Sequence, residues 1–124
     1  MINDLERLLD NAHSPYDDTR VSAIVQMKDG ITFSGVTIKN AIFRDAIYAE
    51  QGAIARAVSA GYRYGDFDKL YLMVNTPNIN DLKYLNQDII LEFMEPKATV
   101  ILYDINRNHF ELKVSDLLFN KFKK

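Results

Sequence analysis

The chain has 124 residues, of which 48% are hydrophobic and 26% are charged, and this composition is ordinary for a single globular domain with room for a core. Its formal net charge of −2 offers no basic surface to phosphate groups, so we expect no nucleic-acid partner. The absence of cysteine excludes disulfides, thiolate nucleophiles and cysteine-ligated zinc. Because neither a signal peptide nor an apolar run of membrane-spanning length is present, we expect a cytoplasmic protein without membrane contact.

The N-terminal part of the chain predicts one helix followed by a β-hairpin. Apolar residues at helical spacing predict an amphipathic helix over 2–9. Alternating apolar residues predict a strand over 21–27. The dipeptide Asp29-Gly30 suits a tight turn that needs positive φ, so we expect the chain to return as a second strand over 31–38.

The rest of the chain alternates between apolar runs of strand length and segments of helical periodicity. Polar, proline-containing or glycine-containing stretches separate these segments and predict loops. The predicted elements are a helix over 48–58 ending near Gly61, a strand over 70–74, a helix over 81–93, strands over 99–103 and 110–114, and a last helix over 116–122.

This order of elements predicts an α/β fold in which all 124 residues form one domain. Helices that connect strands favour parallel strand pairs, whereas the hairpin at Asp29-Gly30 requires an antiparallel pair. The prediction is therefore a three-layer α-β-α sandwich around a mixed five-stranded sheet.

The predicted central helix begins with a single acid, Glu50, and repeats small residues at Ala49, Ala53 and Ala57. A carboxylate in a first turn complements the helix dipole, and this reading needs no further function. Alternatively, Glu50 is a buried general base. The small residues allow close packing either against a second subunit or inside the subunit, and the sequence supports both equally.

Five short segments occur in a characteristic order along the chain. They are Ala12-His13-Ser14-Pro15-Tyr16, Val21-Ser22-Ala23, the run from Gly35 to Ala41, the helix start Ala49-Glu50, and Val114-Ser115-Asp116-Leu117-Leu118 followed by Phe122. Together they resemble the motifs of the small homotetrameric cytidine deaminases that act on free nucleosides. The resemblance implies the cytidine deaminase fold, a homo-oligomer (tetramer or dimer) and a small nucleoside-like ligand.

In that family, three cysteines hold a zinc ion whose bound water attacks cytosine, while a motif glutamate shuttles the proton. The resemblance places Tyr48, Lys83 and Asn86 at the three cysteine positions and Glu50 at the glutamate position. A phenol, an amine and an amide are poor zinc ligands, so we expect no metal and no other cofactor. Tyr48 is predicted to fill the emptied metal volume, and Lys83 to pair with Glu50; Lys83 extending into solvent is the alternative.

Other family positions have changed as well. The arginine that supports the thiolates corresponds to Gln51, the ribose-contacting residues to Thr37 and Lys39, and the base-contacting phenylalanine to Thr19. By the same resemblance, three substrate-contacting residues are retained, and these are Asn40, Tyr16 and Phe122.

We therefore predict a catalytically inactive cytidine deaminase-like protein with a binding or assembly role. Two alternatives keep an enzymatic activity that uses Glu50. One is a cytidine or nucleoside deaminase with an unusual site, and the other is a zinc-free hydrolase.

Overall fold

The computed structural model describes residues 1–15, 18–41, 46–77 and 85–117. Residues 114–117 are helical and lie at the start of the helix predicted over 116–122. The other elements are α1 (Ile2–Leu9), β1 (Val21–Met27), β2 (Thr32–Val36), α2 (Ala49–Ser59), β3 (Phe67–Val74), α3 (Gln87–Phe93), β4 (Thr99–Tyr103) and β5 (His109–Lys113).

The five strands form one sheet in the order β2-β1-β3-β4-β5. Strand β1 is antiparallel to both β2 and β3, β3 is parallel to β4, and β4 is antiparallel to β5. The predicted mixed five-stranded sheet is confirmed, but α2 does not join neighbouring strands. It connects β2 to β3, which lie on opposite sides of β1. The neighbouring parallel strands are β3 and β4, and α3 connects them.

Helices cover both faces of the sheet, which confirms the three-layer arrangement. On one face, Leu5 and Leu9 of α1 pack against Ile24 and Met73. The Ser22 hydroxyl donates a hydrogen bond to the Leu5 carbonyl oxygen at 2.8 Å and fixes α1 on β1. The larger hydrophobic core lies on the other face, beneath α2 and α3. Among the described helices, none is long and apolar enough to cross a membrane.

Two predicted boundaries differ from the structure by three or more residues. Strand β3 begins at Phe67, within a segment predicted as a loop, because Phe67 is buried and aligned with Met27 across the antiparallel pair. Helix α3 begins at Gln87, since Leu85 and Asn86 precede it in non-helical conformations. The earlier part of the predicted helix, 81–84, lies outside the described residues.

Helix α2 lies directly against β2 at Gly35. A Cβ atom added there would lie 2.3 Å from the Ala49 carbonyl oxygen and 2.5 Å from the Ala53 nitrogen. Ala49, Ala53 and Ala57 are all buried, so the small-residue face packs inside the subunit. Gly61, with φ of +106°, follows the end of the helix as predicted.

Candidate functional site

Glu50 is a buried acid at the N-terminal end of α2, and its side chain is 0% exposed. Its Oε2 atom accepts a hydrogen bond from the backbone N–H of Asn86 at 2.6 Å. Its Oε1 atom is buried and has no hydrogen-bond partner among the residues that the structure describes. Native structures contain few buried polar atoms without partners, so this oxygen marks the position as a candidate site.

The surroundings of Glu50 change its acidity. Burial raises the pKa of Glu50 from 4.5 to about 7, because removal from water disfavours the charged carboxylate. The backbone N–H groups of Asn86 and of Glu50 itself lower the pKa and offset part of this effect. A group that titrates near neutral pH is suited to proton transfer.

Tyr48 is the N-cap residue of α2, and its backbone N–H donates a hydrogen bond to the Gln51 Oε1 atom at 3.2 Å. Gln51, at the family's arginine position, therefore closes the first helical turn. Tyr48 is 45% exposed, and the filling of a metal volume beside Glu50 by its side chain stays a prediction. The backbone of Tyr48 is extended, and its side chain is therefore not carried on the buried face of the helix with Ala49 and Ala53.

Asn86 contributes its main chain to the site. It lies immediately before α3, and its N–H group donates a hydrogen bond to the Glu50 carboxyl group. Sequence analysis missed this contact because Leu85, Ile89 and Phe93 continue a helical apolar spacing across the true helix start. The preference of asparagine for N-cap positions was the signal that could have placed the helix start correctly.

The segment before α2 borders the same helix start. Thr37 is buried, and its hydroxyl accepts a hydrogen bond from the Val21 N–H at 2.9 Å and donates one to the Val21 carbonyl oxygen at 3.1 Å. Ile38 forms an antiparallel bridge with Ile47, with N···O distances of 3.0 and 2.7 Å. This bridge holds the segment that ends at the exposed residue Asn40 beside the chain entering α2.

Three of the predicted site residues, Tyr16, Lys83 and Phe122, lie outside the described part of the chain. The Glu50–Lys83 pair and the substrate contacts of Tyr16 and Phe122 therefore stay predictions.

The described residues do not fit a zinc ion at this place. Tyr48 offers an exposed phenol and Asn86 a carboxamide, and neither is a usual zinc ligand. Over 1–15, 18–41, 46–77 and 85–117, no group of three or more histidine, aspartate or glutamate side chains is arranged to hold a metal.

Comparison with known proteins agrees with the fold. The cytidine deaminase of Mycoplasma genitalium is 27% identical over 124 residues, which is 100% of this chain and 94% of that protein. The crystal structure of a cytidine deaminase from Burkholderia pseudomallei is 26% identical, with a TM-score of 0.85 over 94% of this chain and 91% of that chain. A cytidine deaminase structure from Mycobacterium tuberculosis has a TM-score of 0.72 at 19% identity, over 99% and 98% of the two chains. No family model matches the sequence.

The three-layer sandwich, with a buried acid in the first turn of its central helix, defines a cytidine deaminase-like domain. The chain is similar to cytidine deaminases over nearly its whole sequence and shares their fold.

Proposed function

We propose that this protein is a cytidine deaminase-like binding or assembly module without zinc-dependent catalysis. The observation that carries the proposal is the set of residue types at the positions that correspond to the family's zinc ligands. Of the three positions where the family resemblance places zinc-binding cysteines, Tyr48 carries a phenol, Lys83 an amine and Asn86 an amide. The Asn86 group that bonds to the Glu50 carboxyl is a backbone N–H, which is a hydrogen-bond donor and no metal ligand.

The proposal follows from what deamination requires. Zinc-dependent deamination attacks the cytosine ring with a metal-activated water, and the acid only moves protons. An acid with a pKa of about 7 can accept a proton from water, but it supplies neither the positive charge nor the position that a metal gives to hydroxide. Glu50 can therefore transfer protons in this reaction, but it does not supply the activated water that attacks the ring.

We expect purified protein mixed with zinc and either cytidine or deoxycytidine to form no more uridine product and ammonia than the Glu50→Gln variant forms. Elemental analysis of the same samples is expected to find no zinc bound in proportion to the protein. A cytidine deaminase assayed in parallel controls for substrate and metal quality. Zinc-dependent ammonia release by the wild type, absent from the Glu50→Gln variant, would contradict the proposal.

An enzymatic function is the second candidate, and two observations favour it. The similarity to the Mycoplasma genitalium enzyme spans the whole chain, and burial gives Glu50 a pKa suited to a general base. This candidate is either a deaminase with an unusual site or a zinc-free hydrolase. The same assay in the presence of a chelator separates the two, since the zinc-free hydrolase remains active.

The assembly role rests on the family resemblance. Family oligomers build each pocket from neighbouring chains, so this chain would form a homotetramer or dimer, or join an active deaminase. Light scattering of the purified chain measures the first arrangement, and co-purification from the native cell measures the second. If the chain is a monomer and no deaminase co-purifies with it, the assembly role is contradicted and only the ligand-binding role remains.

A further inference from the structure

Strand β5 forms one edge of the sheet and pairs on one side only, with β4. Where this ladder ends, the Val114 N–H donates a hydrogen bond to the Ala98 carbonyl oxygen at 2.9 Å. Hydrogen-bonded and non-hydrogen-bonded pairs alternate along an antiparallel ladder, so alternate residues of β5, counted back from Val114, face β4. The backbone N–H and C=O groups of His109, Glu111 and Lys113 therefore point away from the sheet.

Part of this edge is already closed by the chain itself. The Lys113 N–H donates a hydrogen bond to the Asp116 Oδ2 atom at 2.9 Å. The N–H and C=O groups of His109 and Glu111 have no hydrogen-bond partner in the described part of the chain. Unpaired backbone groups in a row at a sheet edge are a template for a further strand. The open part of the edge therefore has two donors and two acceptors.

The opposite edge of the sheet is blocked at its middle. The Thr37 N–H donates to the Val21 carbonyl oxygen, so by the same alternation the backbone of Ser34 in β2 points away from β1. Arg56, on α2, donates a hydrogen bond to the Ser34 carbonyl oxygen at 3.1 Å. A further strand at β2 would have to displace this side chain, and so β5 is the edge on which pairing is possible without rearrangement.

The open groups determine how a second β5 strand pairs with the first. An antiparallel partner whose Glu111 lies opposite His109, and whose His109 lies opposite Glu111, uses all the open groups in four hydrogen bonds. This register also sets an imidazole, which has an N–H donor in either protonation state, beside a carboxylate.

The neighbouring registers are less favourable. Moving the partner by two residues sets Glu111 opposite Glu111 and requires the Lys113 N–H, which is already bonded. Like charges directly opposite each other destabilise a strand pair. Moving it by two residues the other way sets Glu111 opposite Arg107, which lies in the turn before β5 with φ of +68°.

The preferred register places Phe110 of one copy directly opposite Phe110 of the other. The two residues form a non-hydrogen-bonded pair, in which side chains approach most closely, and aromatic cross-strand pairs are stabilising. Phe110 is half-buried against the larger core, so part of its ring remains available at the edge. Helices α1 and α2 contact β1, β2 and β3, which lie beyond β4 from this edge.

We propose that β5 is an interface between two copies of this chain, whose sheets join edge to edge about a twofold axis at Phe110. A second copy is the occupant because His109 and Glu111 of one strand complement Glu111 and His109 of the other, as a twofold interface requires. This inference rests on the assembly part of the proposed function, for which it names a surface. Four backbone hydrogen bonds between short strands make a weak, concentration-dependent contact.

The variant Glu111→Pro removes one outward N–H group and no hydrogen bond of the ladder with β4. At protein concentrations up to about 1 mM, we expect sedimentation equilibrium to give the wild type at least about twice the average mass of this variant. Glu111→Gln keeps the N–H group, loses only the charge and is expected to associate more weakly than the wild type. A wild type that stays monomeric, or a folded Glu111→Pro that associates equally tightly, overturns the proposal.

Cysteine cross-linking measures the register and stays informative if Glu111→Pro does not fold. The natural chain contains no cysteine. In the proposed pairing the two Phe110 Cα atoms lie about 4.5 Å apart, within the range of a disulfide, whereas the two Leu112 positions are about 13 Å apart. Leu112 is half-buried on the same face and is the matched control. Under mild oxidation we expect Phe110→Cys to form covalent dimers at least about tenfold faster than Leu112→Cys, and equal rates contradict the register.

These outcomes are separate from those of the proposed function. An oligomer whose mass is unchanged in Glu111→Pro, and which Phe110→Cys does not cross-link, overturns the β5 interface and leaves the assembly role standing. Zinc-dependent ammonia release from cytidine contradicts the proposed loss of catalysis, whatever the β5 variants do.

Discussion

The Gly35→Ala substitution is expected to lower the free energy of unfolding by about 3 kcal/mol. The added Cβ atom would lie 2.3 Å from the Ala49 carbonyl oxygen and 2.5 Å from the Ala53 nitrogen. These are backbone atoms of α2, so the clash cannot be relieved by a side-chain rotation. Helix and strand must separate, which opens the core around Ala49 and Ala53. Urea unfolding followed by circular dichroism measures the loss.

Gly52→Ala is the matched control, because Gly52 lies in α2 on the other side of the same contact. Its added Cβ would meet the Gly35 Cα at 3.7 Å and Ile47 at 3.9 Å, which are ordinary van der Waals distances. Alanine is also favoured over glycine inside a helix by up to about 1 kcal/mol. We expect this variant to be as stable as the wild type or more so. Equal losses in the two variants would show that the close contact at Gly35 is not the cause.

The Glu50→Gln substitution is expected to change how stability depends on pH. The pKa of Glu50 is raised by burial from 4.5 to about 7, so the folded protein holds this proton more tightly than the unfolded chain. The stabilising contribution is fully present below the unfolded value and is lost as the pH rises through the folded value. Between pH 5 and pH 8, the wild type should lose about 2 to 3 kcal/mol relative to the variant.

Chemical unfolding of both proteins at a series of pH values measures this difference. Three other acids have pKa values that are lowered and not raised. Hydrogen bonds from Arg107 and Lys28 lower the pKa values of Glu6 and Glu95, and a backbone N–H bond from Ile31 lowers that of Asp29. Their contributions are common to the wild type and the variant and cancel in the comparison. If the two stability curves stay parallel from pH 5 to pH 8, Glu50 is not a carboxyl group with a raised pKa.

Much of the fold could be predicted because its signals are local. The helix over 2–9 and the strands over 21–27 and 99–103 follow from apolar periodicity, and the structure has these boundaries. The turn at Gly30 and the helix end at Gly61 follow from residues that tolerate positive φ, which both glycines adopt. These elements depend on neighbouring residues, so a single sequence was enough to locate them.

The errors occurred where a distant partner decides the conformation. Phe67 continues β3 because Met27 lies across from it, although polar residues separate Phe67 from the apolar run that marks the strand. Asn86 stays outside α3, and its N–H bonds to Glu50, which is far from it in sequence.

The sequence by itself determined the order of the elements, the absence of cysteine ligands and the presence of one acid at the start of the central helix. It also carried the motifs by which the resemblance to cytidine deaminases could be recognised. Tertiary structure alone decided that Glu50 is fully buried, that one of its oxygens bonds to Asn86 and that the other lacks a partner in the described chain. The reason is physical: burial and hydrogen bonding depend on which distant segments pack together, and they set the pKa on which the chemistry of this acid depends.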